Sequence, residues 1–229
     1  MNIERHNRER FERVYGTGDR REYPDLWFVH FLRRYVLERC RVARALVVGS
    51  GDGPEVFALT RVGARVSAID IAPSAVARLR RFAATEGVSH AVDARVGDQC
   101  ALGVEPATYD LAVSWSVISY LDADQGQRAI AEIRRALRPG GYFIGLLESL
   151  DHSGPTLPGA EALGRNTFAI PEDAPTLGGV VMTYYDRAAV EDALAAFETP
   201  AVAHRIVDLP PDGAGHRVGQ WMFCARKRS

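Results

Sequence analysis

The 229-residue sequence predicts an α/β fold: a doubly wound, seven-stranded, mostly parallel sheet with an antiparallel C-terminal strand and a helical N-terminal cap. Three observations predict it. Apolar, β-branched runs alternate with helical segments across residues 44–147, the pattern of parallel strands joined by crossover helices. A glycine-rich turn, Gly49-Ser50-Gly51-Asp52-Gly53-Pro54, joins the first of those strands to a helix. Finally, residues 202–209 and 218–226 flank a Pro210-Pro211-Asp212-Gly213 turn, so the chain closes on a hairpin.

Each element follows in order. Residues 1–15 intersperse Ile3, Phe11, Val14 and Tyr15 with charges, a short amphipathic helix. Tyr15-Gly16-Thr17-Gly18-Asp19 breaks it, and Pro24 is expected to open an apolar, aromatic helix reaching about Arg39. Ala45-Leu46-Val47-Val48 is a buried parallel strand. Pro54 has the φ of a first helical residue, so a helix starts there. Val66-Ser67-Ala68-Ile69-Asp70 is a second strand, and residues 92–99 are a third that ends in Asp98. Residues 109–118 form a fourth strand running into a loop. A helix over 124–137 ends at Arg138-Pro139-Gly140-Gly141, and 142–147 is the fifth strand. Residues 149–179 hold Pro155, Pro158, Pro171 and Pro175 among several glycines. They are expected to be one long irregular loop, and such loops within a domain usually serve function. A helix over 186–197 precedes the final hairpin. There is no internal repeat and no low-complexity tract.

The first turn and the end of the second strand predict a ligand. Glycine lets the backbone turn sharply and approach a ligand without a Cβ in the way. The helix from Pro54 aims its free N–H groups at the loop. Asp70 falls beside that loop, where its carboxylate can accept both hydroxyls of a ribose. A nucleoside-containing cofactor is therefore expected. The spacing is G-x-G-x-G with Pro54 sixth, not the G-x-G-x-x-G of dinucleotide sites. Lys227 is the only lysine, which excludes a P-loop.

The ordered set of glycine loop, Asp70, Gly97-Asp98, Tyr109-Asp110-Leu111-Ala112-Val113-Ser114 and Leu137-Arg138-Pro139-Gly140-Gly141 resembles the class I S-adenosylmethionine-dependent methyltransferases, over roughly residues 40–150. The resemblance implies a Rossmann-like sheet and S-adenosyl-L-methionine as cofactor. It implies that Gly49, Ser50, Gly51 and Gly53 pass under the methionine and ribose. Asp70 would hold the ribose hydroxyls, Ile71 would pack on the adenine, and Asp98 would accept from the adenine amine with Gln99 nearby. Ser114 and Trp115 would close the site by the sulfonium. Tyr15 resembles a position where related enzymes set an aromatic hydroxyl over the cofactor. One residue departs from the pattern. The family often has an acid two residues before the first glycine, contacting the methionine ammonium, and here it is Val47; backbone carbonyls or Asp52 must serve instead. The whole chain is expected to be one domain: a cap (1–40), a cofactor core (41–148), a substrate-cap insert (149–183) and a C-terminal helix and hairpin (184–229).

Acceptor specificity should come from what covers the methyl group. Candidates are Tyr23 and Trp27 of the N-terminal region, with Asp19 and His30 nearby; Tyr120, Ser116 and Ser119 after the fourth strand; and Glu148, Tyr184, Arg165 and Asn166 around the insert. Trp27 and Phe31 also suit core packing at helical spacing. His152, just after the fifth strand, is the expected general base if the acceptor arrives protonated. No His/Cys pair has metal-ligand spacing, so no metal is expected.

Bulk properties suit a soluble enzyme. Net charge is −1 with a pI near 6.6, which provides no field for nucleic acid or a membrane surface. No apolar run reaches transmembrane length, and the charged N-terminus lacks a signal-peptide core. Cys40, Cys100 and Cys224 are scattered and odd in number, as reduced thiols in a cytoplasm would be. The expected function is methyl transfer to an O or N acceptor on a small molecule, with the chain's small size suggesting a secondary metabolite. The alternatives are an RNA or protein methyltransferase, or a non-catalytic cofactor-binding module. The charged N-terminal helix is a candidate homodimer contact.

Overall fold

The computed structural model describes residues 2–17, 21–174, 178–209 and 216–229. Asp19, Pro175 and the Pro210-Pro211-Asp212-Gly213 turn lie outside the described residues. In chain order the helices are α1 (Ile3–Thr17), α2 (Leu26–Phe31), α3 (Pro54–Arg61), α4 (Pro73–Thr85), α5 (Ala123–Ala136) and α6 (Arg187–Ala193). The strands are β1 (Arg44–Val48), β2 (Arg65–Asp70), β3 (Val92–Val96), β4 (Tyr109–Trp115), β5 (Leu137–Glu148), β6 (Glu161–Gly164), β7 (Thr167–Ala169), β8 (Val181–Thr183), β9 (Phe197–Leu209) and β10 (His216–Lys227).

Seven strands form the main sheet in the order β3-β2-β1-β4-β5-β10-β9. The first five are parallel, and β10 pairs antiparallel with both β5 and β9. The expected sheet, including its antiparallel C-terminal end, is the one observed. Apolar residues on both faces explain why the central strands lie inside. Val47 packs in one layer with Phe28, Phe57 and Leu79. Its neighbours Leu46 and Val48 point to the other layer, with Ile130, Ile133 and Phe223. Local chemistry sets the helix ends. The Asp122 carboxylate accepts from Gln125 N at 2.8 Å while Gln125 Oε1 accepts from Asp122 N, a capping box that starts α5.

Two regions differ from the sequence reading. The helix expected from Pro24 starts two residues later, at Leu26, because Asp25 caps the Trp27 N–H at 2.7 Å. It then continues as a π-helical stretch, Leu32–Leu37. The segment after β5 is not one irregular loop: β6, β7 and β8 form a second, antiparallel sheet. Its strands are only three or four residues long and β6 is wholly exposed, so no run is long enough to announce them.

Helix α1 lies across the carboxyl ends of the parallel strands and is fastened there by side chains. Asn7 is the principal clamp. Its Nδ2 donates to Tyr120 O and Val181 O, each at 2.8 Å, and its Oδ1 accepts from Val181 N at 2.9 Å. Arg10 Nε donates to Gly178 O, and Arg78 Nη1 donates to Tyr15 O. The inward face of α1 is thus used within the chain. Asn7→Ala would leave three buried backbone groups unpaired, a loss on the order of 2–4 kcal/mol. Urea unfolding should show this, and hydrogen exchange over residues 3–17 should accelerate; unchanged exchange there would mean that something else holds the helix.

Candidate active site

A cavity of about 460 Å³ opens under α1. It sits past the carboxyl ends of β1, β2, β4 and β5, on either side of the point where strand order reverses, where open α/β sheets bind ligands. One end is lined by Gly49, Gly51, Asp52, Asp70, Ile71 and Gln99; the other by Ser116, Tyr120, Glu148, His152 and Gln220. Phe11 and Tyr15 of α1 roof it, with Phe11 edge-on to Tyr120 at 4.8 Å.

The glycine loop has the shape its composition requires. Gly49 and Gly51 take φ of +71° and +52°, values that L side chains rarely adopt. A Cβ on Gly51 would stand 2.6 Å from the Tyr15 hydroxyl oxygen. The loop is fixed by Asp70, whose Oδ2 accepts from Gly51 N at 2.8 Å and whose Oδ1 accepts from Ala72 N at 2.9 Å. Burial raises the Asp70 pKa, opposed by those two N–H donors. Burial also pushes the Tyr15 phenol well up, with Asp70 and Asp52 adding to the effect, so Tyr15 is a neutral hydroxyl.

The opposite end is built on β5 and β10. Glu148 is 2% exposed. Its Oε1 accepts from Ser116 Oγ at 2.7 Å and from Gln220 Nε2 at 3.2 Å, while the buried Oε2 has no partner. Desolvation raises its pKa against the pull of Ser116, Gln220 and Arg205. Gln220 is oriented by Arg205, which donates to its Oε1 and pairs with Asp25 at 3.1 Å. His152 is also buried, and its Nδ1 accepts from Gly154 N at 2.9 Å. Burial, with His216 at a ring separation of 5.0 Å, lowers its pKa to about 4.

Residues 46–145 match the family model described as "Methyltransferase domain". Over these residues the chain is similar to a methyltransferase domain. One relative, the ubiquinone biosynthesis O-methyltransferase of Methylocella silvestris, is 36% identical over 112 residues, 48% of this chain and 42% of that protein. The chain spans about two-fifths of the length of the curated relatives it matches. Among solved structures, the [4+2]-cyclase SpnF is similar with a TM-score of 0.70 and 18% identity, over 98% of this chain and 97% of that one. The 1,6-didemethyltoxoflavin-N1-methyltransferase of Burkholderia thailandensis, with S-adenosylhomocysteine bound, has a TM-score of 0.67 and 18% identity over 98% and 88% of the two chains.

Within this domain the expected site residues divide. Tyr15, Gly49, Gly51, Asp70, Ile71, Gln99 and Trp115 line the cavity, as do Tyr120, Glu148 and His152. Ser50, Gly53, Asp98, Ser114, Tyr23, Trp27 and Tyr184 do not. Gly53 instead caps α3 with φ of +101° and faces Leu79 and Phe57. Ser50 and Ser114 are buried beside the cavity. The Asp98 Oδ1 is turned to Cys100 N at 2.7 Å, leaving Gly97 and Gln99 on the wall. Tyr23, which precedes α2, is 77% exposed, and Trp27 is 40% exposed because α2 covers the sheet with Phe28 and Phe31 instead. Tyr184 packs with Ile170 and Met182 under the insert. Asn7, Arg21 and Gln220 also line the cavity, and no local sequence motif marks them. Val47 lies in the core, while Asp52, three residues after Gly49, reaches the wall. Among the described residues no three His, Cys, Asp or Glu side chains gather as a metal site, and no helix is long and apolar enough to cross a membrane.

The bond from Gly154 N fixes the His152 tautomer: Nδ1 holds the lone pair, so the proton is on Nε2. The ring therefore offers a donor and is a poor base, contrary to its expected role. A nitrogen-detected NMR titration should find His152 as the Nε2–H tautomer with a pKa of about 4. Because the folded pKa is below the unfolded one, its contribution to stability is complete above the ordinary histidine range and declines as pH falls toward 4. A His152 that titrates as an exposed imidazole would contradict this assignment.

Proposed function

We propose that the protein is an S-adenosylmethionine-dependent methyltransferase acting on an oxygen or nitrogen of a small molecule, a secondary metabolite. The observation that carries this reading is one roofed cavity running from Asp70 to Glu148. Its volume is within the range of small-molecule sites. The roof formed by α1 favours a compact acceptor over an RNA or protein chain. The ligands assigned by name to the similar methyltransferase support the same class of substrate.

The residues present fit the cofactor. Asp70 is held by backbone donors, Gly51 N on Oδ2 and Ala72 N on Oδ1, and its carboxylate is on the cavity wall, suited to ribose hydroxyls. Gln99 Oε1 is buried without a partner, an acceptor available to the adenine amine. Asp52 would take the ammonium that Val47 cannot, and Arg21 the carboxylate. Bound there, S-adenosylmethionine supplies an electrophilic methyl carbon on its sulfonium. The chain's own contribution is to align the acceptor and to exclude water beneath α1, the effects that dominate an in-line displacement.

Asp70→Ala should weaken S-adenosylhomocysteine binding by roughly 1.5–3 kcal/mol, the scale of hydrogen bonds to a charged group. Calorimetry measures this, with circular dichroism as the fold control; an unchanged dissociation constant would remove Asp70 from the ribose site. Transfer of labelled methyl to a panel of phenols, catechols and amines tests the acceptor class. Tight cofactor binding without transfer to any small molecule would favour a cofactor-binding module.

A further inference from the structure

We propose that Glu148 is the proton acceptor of the methyl transfer, so that the acceptor presents an N–H or O–H group to its free carboxylate oxygen. This rests on the methyltransferase reading above and goes beyond it by naming the base and the acceptor's chemistry. Glu148 lines the cavity at the end away from Asp70, and its buried carboxylate oxygen Oε2 lacks a partner. Its Oε1 is already committed to Ser116 and Gln220. Arg205, bonded to the Gln220 carbonyl and paired with Asp25, turns the Gln220 amide so that its N–H₂ faces Glu148. One oxygen is thus held fast and the other is left for a ligand.

The groups facing Glu148 leave it this task. Ser116 and Tyr120 come from the end of β4, Tyr184 and His152 from beyond β5, Gln220 from β10 and Arg205 from β9. Both phenols are pushed far up by burial, and His152 is a neutral donor. Arg205 is the cation of the set, and it is engaged with Asp25 and Gln220. A carboxylate whose pKa is raised toward working pH is a stronger base than an exposed one. In the step, the acceptor's lone pair bonds to the methyl carbon and the carbon–sulfur bond breaks with its electrons on sulfur. The N–H or O–H proton passes to Glu148 Oε2 and is later lost to water.

The test needs no knowledge of the acceptor. Sinefungin carries a protonated amine in place of the cofactor's methyl sulfonium, so its ammonium stands where the methyl group would be. Wild-type protein should bind sinefungin roughly ten- to a hundredfold more tightly than S-adenosylhomocysteine, the scale of a charge-assisted bond. Glu148→Gln should abolish that preference, with S-adenosylhomocysteine binding as the fold control. In the wild type the preference should fall as pH drops through the Glu148 pKa, a readout that does not depend on the variant folding. Equal affinity for the two compounds in the wild type, or a preference indifferent to acid, overturns the proposal. Failure of both compounds to bind overturns the methyltransferase reading instead.

Discussion

The buried carboxylate of Asp70 is the constraint on which the rest of the site depends. It ends β2, and its two oxygens hold the N–H groups of Gly51 and Ala72. Taking a carboxylate out of water is costly, and it is tolerated because each oxygen finds a donor. Those bonds set the path of the glycine loop, and the loop sets the first turn of α3. They also position the floor against which Tyr15 closes, since a side chain at Gly51 would meet the Tyr15 hydroxyl.

The roof creates the electrostatics of the interior. With α1 clamped by Asn7, the groups beneath it lose water, and their proton affinities shift accordingly. Asp70 and Glu148 are pushed up at opposite ends of one cavity, Tyr15 and Tyr120 are held as neutral phenols, and His152 is held neutral. Two carboxylates in one enclosure therefore carry different assignments. Asp70 has both oxygens bonded to backbone and suits a fixed ligand, whereas Glu148 keeps one oxygen unpartnered.

The parallel core was legible because its signals are local. Continuous apolar strands, Pro54 at a helix start and three glycines in a turn each specify structure within a few residues. What the sequence concealed depends on distant pairing. Asn7 meets Val181 across 174 positions, and Gln220 meets Glu148 across 72. The insert's strands are too short to show periodicity, which hid the second sheet. Tyr23 and Trp27 looked suited to a substrate cap, yet the Asp25 cap sets α2 so that Phe28 and Phe31 turn inward. His152 lies on the cavity wall, but its chemistry depends on a backbone bond to Gly154 that spacing alone does not reveal.

A crystal structure with S-adenosylhomocysteine tests the central claim most directly. The account predicts the ribose hydroxyls on the Asp70 carboxylate, the homocysteine chain over Gly49 and Gly51, and the sulfur turned toward Glu148 beneath α1. A ligand bound outside this cavity, or one whose ribose lies away from Asp70, would contradict it.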